Sequence, residues 1–590
     1  MTLTLFFIFT ILPTSSSRLI FYFLVGLYSK PKFWIRFSLL IVASILISLI
    51  STQALPGTGK VLEVHDNYFI TRHGFSNVMV WSEYPGNPGD LVELLGKPES
   101  IDPIPFEAVK RINYTISNPK IKLIKEGKSV KSILWKHFSK YPNSRKLIFN
   151  QSIDNLPLMT SMSLQILGSF QIIKHFLKKH LNEKRERILA LTYFVIYGLV
   201  FGFAFSLIRM ILVRVVKREH SALLCLILFP GSQLGFHFLY PYCKDLLKGL
   251  SSDFSKLNFR QLFPFLALLS SYRFNILEMF LYPLFKLSSG IIFLTLLLIP
   301  YSGWIGNHFI NFFSYVLNHR LLGIFQVVGK PSIIMIILIL IGYKTEKRRV
   351  TITLCLVTLI LMVFPIRSQI VYLDVGQGDA TLIQSALNRK VILIDTGKAS
   401  QVRKLDSKLK SYGVRRIDQV IITHDDEDHS GGLEYLSKHF DIKKVVYNIV
   451  DVKTLEGLNL NKNYGDINAN SLIMTLGMKN KNFLFTGDAG RRQEMDLIRS
   501  YPGLQIDFLK LGHHGSKTST DQEFIKWIKP KYAIASSNPK IYGHPHIEVK
   551  KNLHKSRVKL LQTSEEGDIR VVFTILFDFI HTQARGFAII

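Results

Sequence analysis

The feature that most restricts this chain is a crowd of apolar segments between about residues 188 and 366. Ile188–Val213, Ala222–Tyr242, Ile276–Pro300, Ser332–Tyr343 and Val350–Phe364 carry few charges, and more broken runs lie at Gln261–Tyr272 and Phe309–Val327. One soluble core cannot absorb so many; a bilayer can. Several fall below the ~20 residues that a straight spanning helix needs, so some are expected to be re-entrant or packed inside a bundle. Composition agrees, with 48% hydrophobic and 19% charged residues where ordinary globular chains hold about one quarter charged. Two further apolar stretches, Met1–Tyr28 and Trp34–Ile50, open the chain. No basic segment precedes Leu3–Leu12 and no clear small-residue cleavage site follows, so a membrane hairpin fits better than a signal peptide.

Charge narrows the partner. Lys+Arg minus Asp+Glu is 73 − 42 = +31, which favours an anionic partner, either nucleic acid or a lipid surface. The surplus is uneven: Arg367 to the end holds 33 basic and 25 acidic residues, and the preceding part 40 against 17. Its densest stretch is Val109–Asn150, with 11 basic residues and one acid, Glu126, interleaved with Tyr114, Trp135, Phe138 and Tyr141. That pattern suits single-stranded nucleic acid; an amphipathic segment on an anionic membrane is the competing reading, because Val130–Phe138 has helical spacing. Cys225, Cys243 and Cys355 all lie in apolar stretches, which excludes a disulfide framework and a cysteine-based zinc site.

A multi-domain order follows. Residues 1–52 are membrane segments. Residues 53–108 read as a small β-barrel, because short alternating runs are separated by Pro85-Gly86 and Pro88-Gly89. Residues 109–155 form the basic segment, and 156–366 a polytopic α-helical membrane domain. Residues 367–590 form a soluble α/β domain, since no apolar run of membrane length follows Phe364-Pro365. The basic loop Lys344–Arg349 is expected in the cytoplasm, which sends the last helix outward and puts the C-terminal domain on the outer face of the inner membrane. Arg209, inside the best span, marks either a membrane pathway or a snorkelling side chain near Arg214.

The chemistry is concentrated in Ile421–Gly432, where an apolar strand delivers His424, Asp425, Asp426, Glu427, Asp428 and His429 in one loop. Two imidazoles and carboxylates at this spacing can hold two divalent cations, His424 and Asp426 on one, Asp428 and His429 on the other. A solvated acidic turn is the plain alternative. Further strand ends argue against it: Phe483–Asp488, then Phe508–Ser516 with His513 and His514, then His544 on a loop.

In order and wording these segments resemble the metallo-β-lactamase-like domain of the ComEC family, the competence channel for DNA uptake. The likeness rests on Tyr372–Ala380, Leu393–Gly397, the His424–His429 cluster, Thr486-Gly487-Asp488, Gly512–Ser516 and Tyr542–Pro545. Weaker likeness lies at Phe205–Arg209, Leu234–Phe236 and Ile276–Phe285, and 53–107 sits where the family carries an OB-like domain; a Ser-Gly-Leu-His signature expected near Ile166–Ile172 is missing. The resemblance implies an αβ/βα hydrolase fold and a membrane channel that passes one DNA strand while the other is degraded. It implies two metal ions, Zn²⁺ or Mn²⁺, held by His424, Asp426, Asp428, His429, Asp488 and His514. Asp488 would bridge them, and Asp428, His513 and His544 would serve catalysis. Ser516, Ser519 and Thr520 are expected at phosphate oxygens, or as ordinary turn hydroxyls, with Asp379 and Asp395 bracing the site. A third histidine on the first metal is absent, with Asn468 or Asn470 roughly where it would lie. The partners implied are single-stranded DNA, membrane lipids, a periplasmic DNA receptor and a cytoplasmic translocase ATPase; self-association stays open.

Overall fold

The computed structural model describes residues 58–65, 68–73, 76–96, 98–100, 112–117, 119–149, 164–201, 205–216, 263–318, 326–332, 348–448, 455–458, 463–537, 543–582 and 586–589, with isolated positions between. The expected N-terminal hairpin, the segment Ala222–Tyr242 apart from Cys225, and most of Ser332–Tyr343 lie outside the described residues. The chain divides into two units, Met1–Leu356 and Val357–Ile590.

The first unit begins with a mixed sheet of seven strands: β1 (Thr58–Val64), β2 (Phe69–His73), β3 (Ser76–Trp81), β4 (Leu91–Leu95), β5 (Glu99–Ser100), β6 (Ile112–Ser117) and β7 (Lys120–Lys125), in the order β5-β6-β3-β2-β1-β4-β7. β1 to β3 form an antiparallel meander, β4 pairs antiparallel with β1, and β6 runs parallel to β3. Alternation drives it, with Val61, Phe69, Val78, Val80 and Val92 all buried. Buried Asp90 pins the crossover, accepting from the backbone N–H of Asn87 and of Gly127 and from the Tyr84 hydroxyl.

The sheet continues to Lys125, so two of its strands come from the segment read as a separate basic region. The remainder of that segment forms helices Val130–His137 and Pro142–Ile148. Trp135 and Phe138 are buried, and the Arg145 guanidinium lies 4.3 Å from the Trp135 ring centre. These two aromatics are therefore core residues, withdrawn from any stacking on bases. The lysines of β7 stay exposed, on the outermost strand.

Helices α1 (Leu164–Leu177), α2 (Glu183–Phe201), α3 (Phe205–Val215) and α4 (Ile276–Leu298) follow. The run Ile188–Val213, read as one span, is instead two helices that fold back on each other: the Arg187 guanidinium donates to the Val215 carbonyl at 3.2 Å. Arg209 sits on α3 and is buried. α1 packs on α4 through Gly168 and Gly290, where a Cβ on Gly168 would stand 2.0 Å from the Lys286 carbonyl oxygen; small residues permit such backbone approach. α4 starts at Asn275, whose side chain accepts from the Leu277 N–H. Among the described residues, only Phe280–Leu298 is long and apolar enough to cross a membrane, and it is 28% buried. A core helix of a soluble domain would be mostly buried. α5 (Arg348–Val363) contains a shorter apolar stretch.

The second unit is a two-sheet sandwich. One sheet contains β8 (Ser368–Tyr372), β9 (Thr381–Gln384), β10 (Val391–Ile394), β11 (Gln419–Ile421), β12 (Val445–Val446), and later β19 (Ile569–Phe573), β20 (Asp578–Thr582) and β21 (Gly586–Ile589). Its order is β12-β11-β10-β9-β8-β19-β20-β21. The other contains β13 (Glu456–Gly457), β14 (Met474–Met478), β15 (Lys481–Phe485), β16 (Phe508–Lys510), β17 (Tyr532–Ala535) and β18 (Lys559–Gln562) in sequential order. Every second residue faces the inter-sheet core: Ile370 and Tyr372, Ile392 and Ile394, Phe483 and Phe485, Val571 and Phe573. The alternate residues Leu484, Leu509, Ala533 and Ala535 face helices Arg491–Ser500, Gln522–Ile528 and Ile547–Lys555, with Leu497, Phe524, Ile525, Val549 and Leu553 as partners. Helix Val402–Ser411, on the other sheet's side of the sequence, buries Val402, Leu405 and Leu409 at helical spacing.

Candidate metal centre

The polar loops that follow β8, β10, β11, β15 and β16 meet at one end of the sandwich. Parallel pairing of β10 with β11 and of β15 with β16 sets those exits side by side. The strands end on buried residues and lead within a few residues to a carboxylate or histidine, so the core positions the site. Gly378 fits the first loop to the acidic one: its φ is +113°, and a Cβ there would meet the Asp428 carbonyl oxygen at 2.4 Å. The Asp379 N–H donates to that same oxygen.

His429 is fully buried. Its Nδ1 lies 2.9 Å from Asp395 Oδ2, and its Nε2 3.2 Å from Asp488 Oδ1. Asp395 also accepts from the Thr423 N–H and hydroxyl, which fixes the ring. His514 Nε2 stands 3.2 Å from Asp428 Oδ2 and 3.8 Å from Asp488 Oδ2. His424 Nε2 is 3.9 Å from Asp488 Oδ2 and 3.7 Å from Asp426 Oδ2. His513 Nε2 approaches Asp488 Oδ2 at 3.8 Å with a partly exposed ring, and the His544 ring centre is 6.2 Å from that of His513. Asp488 therefore sits at the middle of the cluster.

Buried Asp379, His429, Asp488 and His514 present ligand atoms within 4.8 Å of one another. Asp379 is nevertheless a support for the site: Lys510 Nζ lies 2.7 Å from its Oδ2, and its Oδ1 faces His514 Nδ1 at 3.2 Å, away from the converging Nε2 atoms. Three atoms aimed at the centre are buried without a well-aligned hydrogen bond: His424 Nε2, and His429 Nε2 and Asp488 Oδ1, which face only each other at 3.2 Å. Orphaned donors and acceptors of this kind are costly unless something binds them, and an Asp/His set is the donor chemistry of Zn²⁺ and Mn²⁺. The residues fit a divalent cation.

Electrostatics agree. Burial opposes ionisation of Asp488, but His514 and His429 outweigh it and hold the carboxyl far below its usual range. Burial likewise disfavours protonated His514, yet Asp488 and Asp379 push it up to about 9. His424 is lowered by burial and by neighbouring His429. The cluster holds negative charge that is compensated by protons where a cation would serve.

Two residues were missed in the sequence. Lys510 is a lone charge in an apolar strand, a signal that was readable. Ser471 had none: its Oγ accepts from the Asp488 N–H and lies 3.2 Å from His424 Nδ1, where Asn468 or Asn470 was anticipated. Those asparagines instead lie in the short helical turn just before it, with Asn470 bonded to Asn463 and Tyr464. Ser519 and Thr520 are fully buried. Ser519 Oγ donates to the carbonyls of Gly512 and Ser516, and the Thr520 N–H donates to Glu494, so both brace the loop, the turn role that was the alternative to a phosphate contact. Ser516, also buried, accepts from the Thr518 hydroxyl.

Residues 373–459 match the model of the metallo-beta-lactamase superfamily. The chain is 28% identical to ComE operon protein 3 of Bacillus subtilis over 37% of its length, and 31% identical to competence protein ComA of Neisseria gonorrhoeae over 33%. It is 30% identical to recombination protein 2 of Haemophilus influenzae over 35%. The chain is similar to competence proteins of the ComEC family and carries a metallo-β-lactamase-like domain. The matches span about a third of those relatives, 35%, 31% and 29% of their lengths. The superfamily match includes Asp379, His424, Asp428 and His429 of the cluster in the second unit.

Proposed function

We propose that this chain is an inner-membrane channel for uptake of single-stranded DNA, whose C-terminal domain is a metal-dependent nuclease for the strand left behind. The observation that carries it is the set of buried, unsatisfied ligand atoms around Asp488, in a chain whose relatives are named for competence and recombination. Asp428, His429, Asp488 and His514 would hold one cation, and His424, Asp426 and Asp488 a second, with no third histidine. Bound divalent cations supply Lewis-acid stabilisation of phosphate charge and a lowered pKa for water. Asp395 fixes the His429 ring; the Ser536 carbonyl, 2.9 Å from His514 Nδ1, does the same for His514, with Asp379, held by Lys510, beside it. His513 and His544, the more accessible imidazoles, would contact the phosphodiester. The β1–β3 meander with its parallel β3–β6 pair supports an OB-like reading of the N-terminal sheet. The sparsely buried helix Phe280–Leu298 supports a membrane domain, with Arg209 a residue of its pathway. The basic loop before α5 supports an outer-face C-terminal domain. DNA and lipid are the partners proposed, together with a receptor and a translocase ATPase.

Purified full-length chain is expected to cleave labelled DNA with Mn²⁺ or Zn²⁺ and to lose cleavage in Asp428→Ala and Asp488→Ala. No cleavage by the parent protein under either metal sinks the nuclease, leaving a channel with an inactive hydrolase domain. Loss of transformation in a deletion strain tests the channel, and unchanged uptake rejects it. A membrane-anchored phosphodiesterase without a channel is the second reading, favoured by the single candidate span among the described residues.

A further inference from the structure

The end of the sandwich opposite the metal centre carries an unusual surface. Antiparallel pairing of β8 with β19 sets Ser368 beside Phe573, and pairing of β9 with β10 sets Gln384 beside Val391. The hairpin tip Thr574–Phe577, the loop 385–390 and the entry of the chain into β8 therefore share one end. The tip is apolar and bare: Ile575 is 90% exposed, Leu576 87% and Phe577 47%. Exposed Ile366 and Leu387 stand at the same end. The other exposed large hydrophobics of the sandwich, Tyr447, Ile467 and Ile547, are single residues on separate elements. Scattered apolar residues need no explanation, whereas a contiguous group does.

Continuity says what covers it. The apolar helix α5 ends at this same place: the Asn388 side chain donates to the Val363 carbonyl, and the Leu387 N–H donates to that of Pro365. The loop is thus bonded to the last turn of a helix that the proposed function puts in the membrane. Lys479 closes the end from the second sheet, donating to the Thr574 carbonyl and pairing with Asp578 at 2.8 Å. Exposed Arg389 and partly exposed Lys390 complete a basic rim around apolar side chains. Apolar residues that dip beneath the headgroups, ringed by cations, are the pattern of interfacial membrane contact.

We infer that the hairpin tip Ile575–Phe577, with Leu387 and Ile366, inserts into the headgroup interface of the bilayer beside α5 and holds the domain with its metal centre away from the membrane. Five-residue strands separate the two ends, so the centre stands about 15 Å above the lipid surface at ~3.3 Å per residue. The inference rests on the membrane reading of the chain. A photoreactive benzophenone side chain at Ile575, in full-length protein reconstituted into phosphatidylethanolamine–phosphatidylglycerol vesicles, tests it by mass spectrometry of the adducts. Leu287 on α4 is the reference for lipid, and exposed Glu523, near the metal end, for water. The expected result is lipid adducts at Ile575 within a few-fold of those at Leu287, and none at Glu523. Lipid adducts at Leu287 with only protein crosslinks, or no adduct, at Ile575 overturn the inference alone. Absence of lipid at both Leu287 and Ile575 overturns the membrane reading together with it.

Discussion

The two β-structures of this chain treat charge in opposite ways. The N-terminal sheet displays Lys120, Lys122 and Lys125 on its outermost strand. The C-terminal sandwich buries Asp379, Lys510, His429, Asp488 and His514 at one end. Exposed charge is cheap, screened by salt and indifferent to sequence. Buried charge is costly unless each group is compensated, so it persists where arrangement itself matters. The first region offers charge to solvent, and the second holds it in a fixed arrangement.

The sharpest break of that contrast is Asp488→Ala, which removes the carboxylate that His424, His429, His513 and His514 all approach. Metal content of the second unit by elemental analysis and hydrolysis are both expected to fall to background. A variant that retains metal and turnover would show that the buried charges are merely structural.

Glu494 offers the next largest effect. Burial pushes its carboxyl up to about 7 from 4.5, despite hydrogen bonds from the N–H groups of Thr520 and Asp521. The folded state then binds the proton more tightly than the unfolded one. The Glu494 contribution to stability is greatest below pH 4.5 and falls as pH rises to about 7, by roughly 3 kcal/mol from (7 − 4.5) × 1.36. The difference in thermal stability between the parent chain and Glu494→Gln should carry this slope.

Asp395→Asn leaves the direct ligands intact but replaces the partner of His429 Nδ1. Metal affinity is expected to drop about 10–100-fold, the usual cost of losing such a support, as read by chelator competition. The smallest effect belongs to the N-terminal sheet. Replacing Lys120, Lys122 and Lys125 with Ala should reduce the slope of log affinity for single-stranded DNA against log salt by up to about 2, at ~0.7 per phosphate contact. An unchanged slope would mean that these lysines only guard an edge strand from aggregation.

Legibility in the sequence followed the same divide. His424, Asp428, His429, Asp488 and His514 were readable because apolar strands end on them, and a strand end at a sheet edge is a fixed address. Ser471 was invisible, since its role depends on a loop meeting another loop through the Asp488 N–H. Ser519 and Thr520 looked available beside His513, yet the loop turns them inward to bond its own backbone. The run Ile188–Val213 had the length of a span; hydropathy counts residues and does not see a reversal at Phe203, whose ring packs on Gly198. Trp135 and Phe138 matched a stacking pattern, but composition cannot tell a platform from a core.

His513 and His514 have φ of +44° and +55°, a left-handed pair that costs each non-glycine residue about 1–2 kcal/mol. Glycine or asparagine would relax that backbone while erasing the imidazoles. A screen for expression or thermal tolerance alone should therefore reward the loss of partly exposed His513, whereas buried His514 also compensates the carboxylates around it. Only selection on turnover would keep His513, and the conflict between those two rankings is itself a way to locate the reaction.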